Sequence, residues 1–233
     1  MTMGKILYFN RQGERTLSCK DTVYFVNSSR LGVYSLADGL NSLKWSHIGA
    51  SAVQKAVADM AAEKGDELFT ESEQDVQRNL IEIVHRTLYN LAEKQGSPDD
   101  YASTMMTVFV SKKSGCMRWL HIGDGLILKE DVSGNLSVLS HPHNGVTRQF
   151  TYTTAHDQLD RYMRMGTKPL KGVRRLIMMT DGAAFPFYRN RKLTGWGKWL
   201  IGRGIESVLA ELEKIGPADD YSMIDVFVND REG

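Results

Sequence analysis

Cysteine and proline are scarce in this chain of 233 residues, and neither sign of charge is in excess. Its two cysteines, Cys19 and Cys116, are too few for the disulfide framework of a small secreted protein, which favours reduced thiols in an intracellular protein. With five prolines and no Pro/Ser-rich linker or repeat, we expect one continuous domain over residues 1–233. The formal net charge of +1 gives no overall basic field for binding nucleic acid.

Long hydrophobic runs are also missing. The apolar segment nearest the N-terminus, residues 6–9, is too short for the core of a signal peptide, and no run approaches the ~18 residues that span a bilayer. We therefore expect a soluble, cytoplasmic protein with no membrane partner. Hydrophobic residues make up 42% of the chain, which is enough to form a sizeable core.

The chain does contain aspartates placed next to apolar runs. Asp38, Asp124 and Asp181 each follow such a run and precede a glycine, and an Asp-Asp pair occupies positions 219 and 220. Asp-Gly is a common turn dipeptide, so each pair alone is also typical of a plain turn. A strand that ends in Asp-Gly nevertheless brings a carboxylate to the sheet edge, and several such carboxylates would form an oxygen-rich site for a hard divalent cation.

Hydrophobic periodicity predicts a mixture of strands and helices. Helices are predicted over residues 47–63, 72–94 and 205–214 from apolar positions on one face. Strands are predicted over residues 22–26, 32–37, 104–110, 116–122, 126–130, 136–139, 174–180 and 222–228. Hairpin turns separate several of these strands, which indicates an α+β fold with antiparallel sheets rather than alternating βαβ units.

Taken in order, the acidic elements resemble the metal-dependent protein phosphatases of the PP2C (PPM) family over residues 15–228. The elements that carry the resemblance are Asp38-Gly39 with a following helix opened by His47-Ile48-Gly49-Ala50, Ser103-Thr104, His121-Ile122-Gly123-Asp124, Met179-Thr180-Asp181-Gly182 and Asp219-Asp220-Tyr221-Ser222. Segments 44–49 and 141–145 are most similar to a compact bacterial branch of that family. The order and spacing of these elements make the resemblance specific.

The resemblance implies a PP2C-like sandwich of two antiparallel β-sheets flanked by α-helices. It also implies hydrolysis of phosphoserine and phosphothreonine in proteins, the substrates being phosphorylated by a cognate Ser/Thr kinase. The implied cofactors are two Mn²⁺ or Mg²⁺ ions, with a third in bacterial members. Two such ions ~3.5–4 Å apart can hold a water as hydroxide and clamp the phosphoryl oxygens, and carboxylates suit them because both ions prefer hard oxygen ligands.

The metal ligands carried over by position are Asp38, Gly39, Asp124, Asp181 and Asp219. Asp38 would bridge two ions and the Gly39 carbonyl would bind one of them, while Asp181 and Asp219 would hold the other ion. Asp124 would contribute to a third ion together with Asp181. Because neighbouring residues that enter a strand project to opposite faces, we expect the residue after Asp219 to form local hydrogen bonds, for example to a backbone N–H.

The first motif of the resemblance is altered in this chain. Asp21 would be its aspartate near the metals and would act with Asp38 and Asp181 in catalysis. The family places an arginine five residues before this aspartate, where the chain has Thr16. Arg15 would then bind the substrate phosphate if a strand bulge shifts it by one position, and Lys20 is a second phosphate-binding candidate. The altered motif favours an alternative function, a catalytically weak phosphoprotein-binding or regulatory module.

Two further patterns permit other interpretations. His141 and His143 could form half of a zinc site, although a plain polar loop fits the same spacing and no third ligand is suitably placed. Residues 189–203 mix basic and aromatic side chains, which could bind a partner or nucleic acid but is more typical of a loop and an amphipathic helix with solvated charges. This segment could instead lie near the active site and bind phosphopeptides.

Overall fold

The computed structural model describes residues 2–144 and 151–229, which form two five-stranded antiparallel sheets. In spatial order, the first sheet contains β1 (Thr2–Arg11), β12 (Tyr221–Asn229), β9 (Val173–Met179), β6 (Leu126–Asp131) and β7 (Leu136–Ser140). The second sheet contains β2 (Thr22–Asn27), β3 (Leu31–Ala37), β4 (Met105–Ser111), β5 (Cys116–Ile122) and β8 (Arg164–Pro169). A separate hairpin pairs β10 (Tyr188–Arg189) with β11 (Lys192–Leu193).

Helices lie on the outer faces of both sheets. They are α1 (Ser46–Lys64), α2 (Glu67–Thr70), α3 (Glu73–Ala92), α4 (Leu159–Tyr162), α5 (Asp181–Ala184), α6 (Gly195–Gly202) and α7 (Ile205–Ile215), with a 3-10 helix at Pro98–Tyr101. The expected α+β class with two antiparallel sheets and flanking helices is therefore confirmed. In the described part of the chain, no helix is both long and apolar enough to cross a bilayer.

Three apolar cores lie between these layers. One joins α1 and α3 to the second sheet, another joins α6 and α7 to the first sheet, and the third fills the space between the sheets. Strand β3 contributes to two of them, since Val33 packs with the helices and Tyr34 with the opposite sheet. Successive strand residues point to opposite faces, so a strand covered on both sides is buried along its whole length, as β3 is.

An ionic network is buried within the first sheet. The guanidinium of Arg175 on β9 donates to Glu130 of β6 over 2.6 Å and to Asp225 of β12 over 3.0 Å. All three residues are buried, and Arg175 also donates to the carbonyl of Ile201 on α6 over 3.2 Å. The network thus links three strands of the sheet to the helix that covers them.

Every helix and strand predicted from periodicity is present, with ends within two residues of the prediction. Strands β1, β8, β10 and β11 were not predicted. The basic and aromatic segment 189–203 contains part of the β10–β11 hairpin followed by α6, which agrees with the predicted loop and helix.

Candidate functional site

The predicted site residues lie at strand ends in both sheets. In the second sheet, Asp21 precedes β2, Asp38 follows β3 and Asp124 follows β5. These three ends share one edge because β2, β3, β4 and β5 pair antiparallel in that order. In the first sheet, Asp181 follows β9 and Asp219 precedes β12, and antiparallel pairing again places both ends together.

These five aspartates, here named the acidic cluster, lie close enough to repel one another. Burial raises the pKa of Asp38 well above its usual range, and the charges of Asp21, Asp219 and Asp124 raise it further. Burial likewise raises the pKa of Asp181, with added repulsion from Asp124, Asp38 and Asp219. Within residues 2–144 and 151–229, no member of the cluster forms an ion pair with a basic side chain. Among the described residues, no basic side chain therefore neutralises the charge of the cluster.

Asp21 is the most enclosed member of the acidic cluster, with 3% of its surface exposed. Thr180 donates its hydroxyl to Asp21 Oδ2 over 3.0 Å, whereas Asp21 Oδ1 is buried without a hydrogen-bond partner. Burial raises the pKa of Asp21 to about 7 despite the hydrogen bonds that oppose the shift. The sequence motifs assigned no role to Thr180, although its position next to Asp181 in one of them indicated that it lies near the site.

The backbone that carries Asp38 is held by Thr104 at the start of the neighbouring strand. The amide of Asp38 donates to Thr104 Oγ1 over 3.0 Å, and the amide of Thr104 donates to the Asp38 carbonyl over 2.8 Å. Gly39 follows in a tightly packed position, because a Cβ there would lie 2.9 Å from both the Lys20 carbonyl and Ser46 Oγ. The Asp-Gly pair thus fits between the segment before β2 and the start of α1, where a larger second residue would collide.

The two adjacent aspartates before β12 have different surroundings. Asp220 is buried and accepts hydrogen bonds from the amide of Gly13 (3.0 Å), the hydroxyl of Thr16 (2.6 Å) and the amide of Lys20 (2.7 Å). The expectation that this residue binds backbone N–H groups is confirmed. Asp219 is exposed, and its Oδ1 accepts from the side-chain amide of Asn41 over 2.6 Å. Sequence reasoning gave no role to Asn41.

The two predicted phosphate-binding residues are placed differently from one another. Arg15 lies in an exposed turn and not in a strand, so the expected strand bulge that would shift it is absent. Its amide donates to the Ala218 carbonyl over 3.0 Å, which brings the turn beside Asp219. The ammonium of Lys20 instead donates to the Asn41 carbonyl over 2.9 Å and braces that loop.

Asp124 faces a cleft of about 850 Å³ that also reaches Asp181. Thr151 donates to Asp124 Oδ2 over 2.6 Å, and burial raises the pKa of this carboxyl. The cleft is also lined by four residues of the β10–β11 hairpin: Tyr188, Arg189, Asn190 and Arg191. Sequence analysis did not predict this hairpin.

The donor chemistry of the acidic cluster fits a hard divalent cation, since carboxylate oxygens are the ligands that Mg²⁺ and Mn²⁺ prefer. In the part of the chain that the structure describes, no three His, Cys, Asp or Glu side chains are arranged to enclose an ion. Repulsion opposes such convergence, because two carboxylates ~5 Å apart repel by about 3 kcal/mol at an effective dielectric constant of ~20. The unpartnered Oδ1 of Asp21 and the lack of ion pairs leave carboxylate oxygens available to a cation.

The histidines near the cleft belong to a polar and aromatic loop. His141 hydrogen-bonds Tyr188 through Nδ1, and the His143 ring packs against Tyr152 at 4.9 Å between ring centroids. These contacts fit the polar-loop interpretation; Gly145 of the 141–145 segment lies outside the described residues. His121 is fully buried beside Arg164, and burial together with that cation lowers its pKa well below the usual range.

Both cysteine thiols are free, as expected from the sequence. Burial raises the pKa of Cys19 to about 12, and the nearby carboxylates of Asp21 and Asp220 raise it as well. A thiol with this pKa is protonated at neutral pH and is a poor nucleophile.

Known proteins resemble this chain most clearly in fold. No curated protein sequence matches it. PppA from Pseudomonas aeruginosa superposes with a TM-score of 0.73 at 12% identity, covering 97% of this chain and 98% of that one. The serine/threonine phosphatase Stp1 from Staphylococcus aureus gives 0.69 at 13% identity, covering 99% and 98%. RsbX in complex with magnesium gives 0.62 at 14% identity, covering 98% and 99%.

A family-level comparison extends the likeness to the sequence. The model of the protein phosphatase 2C family matches residues 12–211, a span that begins before the first-motif aspartate and includes four of the five strand ends that carry the acidic cluster. The order of helices and strands along this chain is the one that the motifs predicted. The chain belongs to the protein phosphatase 2C family.

Proposed function

We propose that this protein is a Mg²⁺- or Mn²⁺-dependent phosphatase that hydrolyses phosphoserine and phosphothreonine in proteins. The observation that carries the proposal is the acidic cluster, in which carboxylates from both sheets meet without an ion pair in the described residues. Membership of the protein phosphatase 2C family supports Ser/Thr phosphatase activity. The related RsbX structure contains magnesium, which supports a divalent ion as cofactor. The family match does not favour the weak regulatory module as an alternative.

In this proposal the metal ligands are distributed as the sequence motifs predict. Asp38 would contribute to holding both ions and the Gly39 carbonyl would bind one of them, while Asp181 and Asp219 would hold the other. Asp124 would contribute to a third ion together with Asp181. When bound, the ions supply a hydroxide nucleophile and neutralise charge that develops on the phosphoryl group.

The remaining residues of the site position these ligands. Thr104 fixes the backbone of Asp38 from both sides, and Thr180 orients the Asp21 carboxyl beside it. Asn41 holds the Asp219 carboxylate in one orientation. Because such contacts already restrict these side chains, less entropy is lost when the reacting groups are brought together.

For the substrate phosphate, we favour Arg15 over Lys20. The Lys20 ammonium is engaged with the backbone of the Asn41 loop, whereas no ion pair involves the Arg15 guanidinium within the described residues. The turn that carries Arg15 is attached beside Asp219 through the Ala218 carbonyl. We place the substrates among cytoplasmic phosphoproteins modified by a cognate Ser/Thr kinase.

Hydrolysis of p-nitrophenyl phosphate and of a phosphothreonine peptide tests the proposal. We expect turnover only with Mn²⁺ or Mg²⁺, complete loss with excess EDTA, and recovery when the ion is restored. A matched control is the protein with Asp38→Asn, which should stay inactive at every ion concentration. Undiminished turnover in excess chelator would disprove a metal-dependent reaction.

A further inference from the structure

Two exposed arginines, Arg189 and Arg191, line the cleft that also contains Asp124 and Asp181 of the acidic cluster. Arg189, Arg191 and Lys192 occupy three of four consecutive positions around the turn of the β10–β11 hairpin, and all three are exposed. None forms an ion pair with any residue in the described ranges. We name residues 188–193 the basic hairpin.

The basic hairpin is locally unfavourable in two respects. Asn190 and Arg191 adopt left-handed backbone conformations, with φ of +50° and +60°. Asparagine tolerates this region, whereas arginine is strained in it and glycine would not be. In addition, Arg189 stands directly opposite Lys192 in the two-stranded pairing, and like charges in that position repel. Local conflicts of this kind concentrate at functional sites.

The cations lie beside the acidic cluster rather than inside it. The charges that act most strongly on the Asp181 carboxyl are the aspartates Asp124, Asp38 and Asp219. The Arg191 charge instead acts on the adjacent loop, since burial and then that charge lower the pKa of His141, which hydrogen-bonds Tyr188 of the same hairpin. The cleft is therefore lined both by carboxylates of the acidic cluster and by two arginines.

An exposed aromatic ring also lines the cleft. Phe185 follows α5 directly and exposes 64% of its surface. A peptide that lies in the cleft would thus meet an apolar contact in addition to the acidic cluster and the arginines. This arrangement of anion site, apolar contact and cation site suits an extended acidic segment better than a small isolated phosphate ester.

We propose that the basic hairpin selects substrates that carry a negatively charged residue, either Asp/Glu or a second phosphorylated residue, next to the phosphoserine or phosphothreonine. This inference rests on the proposed phosphatase function. Arg189 and Arg191 bind the flanking anion, and the left-handed turn presents Arg191 toward the cleft. The hairpin contributes to substrate binding and takes no part in the chemistry at the acidic cluster.

The test uses three phosphothreonine peptides that differ only in acidic, neutral or basic flanking residues. For the wild-type protein with Mn²⁺ we expect a kcat/KM that is highest for the acidic peptide. The double variant R189Q/R191G should reduce the ratio of kcat/KM between acidic and basic peptides about tenfold, mainly through KM, which is the effect expected of two exposed charge pairs. Because glycine relieves the left-handed strain, this variant should also melt at a higher temperature than the wild type.

The matched control is Arg86→Gln, which removes an exposed cation on α3 beside the opposite sheet and should keep the wild-type ratio. Equal losses on all three peptides and on p-nitrophenyl phosphate, or an unchanged ratio, would overturn the proposal. Separately, anisotropy of the labelled acidic peptide measures binding without turnover. Weaker binding to R189Q/R191G supports the basic hairpin even if the protein proves inactive, in which case only the proposed function fails; equal binding rejects the hairpin.

Discussion

Replacing each of the adjacent aspartates before β12 by asparagine should separate stability from activity. Asp220 accepts hydrogen bonds from the amides of Gly13 and Lys20 on different carboxylate oxygens. Because the carboxylate is charged and buried, both hydrogen bonds are charge-assisted. An asparagine has one acceptor oxygen, so its NH₂ must face one of these N–H donors. Loss of one such hydrogen bond costs about 2 kcal/mol, which corresponds to a fall in melting temperature of about 4–8 °C for a chain of this size.

The same change at Asp219 should have the opposite profile. Asp219 is exposed, and its Oδ1 accepts both from Asn41 and from the amide of Asp220. The asparagine oxygen can take over both contacts, so the free energy of unfolding without metal should change by less than about 0.5 kcal/mol. Turnover should nevertheless fall at least ~100-fold, because a charged ligand is lost from the proposed metal site.

Thermal melting without metal and p-nitrophenyl phosphate turnover across a Mn²⁺ titration measure both effects. We expect D220N to melt early yet retain most of its activity at saturating Mn²⁺, and D219N to melt normally yet stay nearly inactive. The reverse ranking of activities would show that Asp220 carries the metal-binding role. Equal melting temperatures would show that the hydrogen bonds of Asp220 contribute little to stability.

Three further predictions follow from contacts described above. Asp38→Asn and Asp181→Asn should each lower turnover at least ~100-fold and abolish the rise in melting temperature on adding Mn²⁺, which calorimetry with and without the ion would measure. Arg175→Ala should reduce the free energy of unfolding by about 3–5 kcal/mol in urea titrations, since Asp225 would remain buried without its ion-pair partner and Glu130 would keep only Arg174; a loss below 1 kcal/mol would contradict this. Because the pKa of His121 is lowered in the folded protein, the unfolded chain binds an extra proton below pH ~6.5. His121 therefore lowers stability as pH decreases, by at most about 1.4 kcal/mol per pH unit, whereas the raised pKa values of Asp38 and Asp181 act in the opposite direction. The difference in stability between the wild type and His121→Gln, measured across pH, should show the His121 contribution.

Strands with regular apolar patterns were predictable, and those without them were not. Strand β1 is interrupted by a register shift between Met3 and Ile6, which breaks the alternation on which sequence prediction depends. Strand β8 lies at a sheet edge, contains Gly166 and Pro169, and is at most partly buried, so its sequence has little apolar signal. The turn of the basic hairpin uses Asn190 and Arg191 where glycine would be expected, and no local rule predicts an arginine there.

The candidate site was predictable in its acidic residues but not in the contacts that position them. Motif order identified the aspartates because each stands beside an apolar strand. By contrast, Thr16 meets Asp220 across 204 positions of sequence, and Thr104 meets Asp38 across 66. Such pairs depend on how the sheets pack, which no local pattern encodes. The same reason explains why Arg15 could not be placed, since its turn is attached to the segment before β12.

The position of β12 has a consequence for biosynthesis. This strand is inserted between β1 and β9, although it is the last of the five strands of its sheet to be synthesised. Chains emerge from the ribosome N-terminus first at roughly 5–20 residues per second, so β1 and β9 wait with unpaired edges until β12 arrives. Asp219 and Asp220, whose carboxylate accepts a hydrogen bond from the Gly13 amide, directly precede that strand. A chain from which β12 has not yet emerged, or one truncated before that strand, therefore lacks part of the acidic cluster.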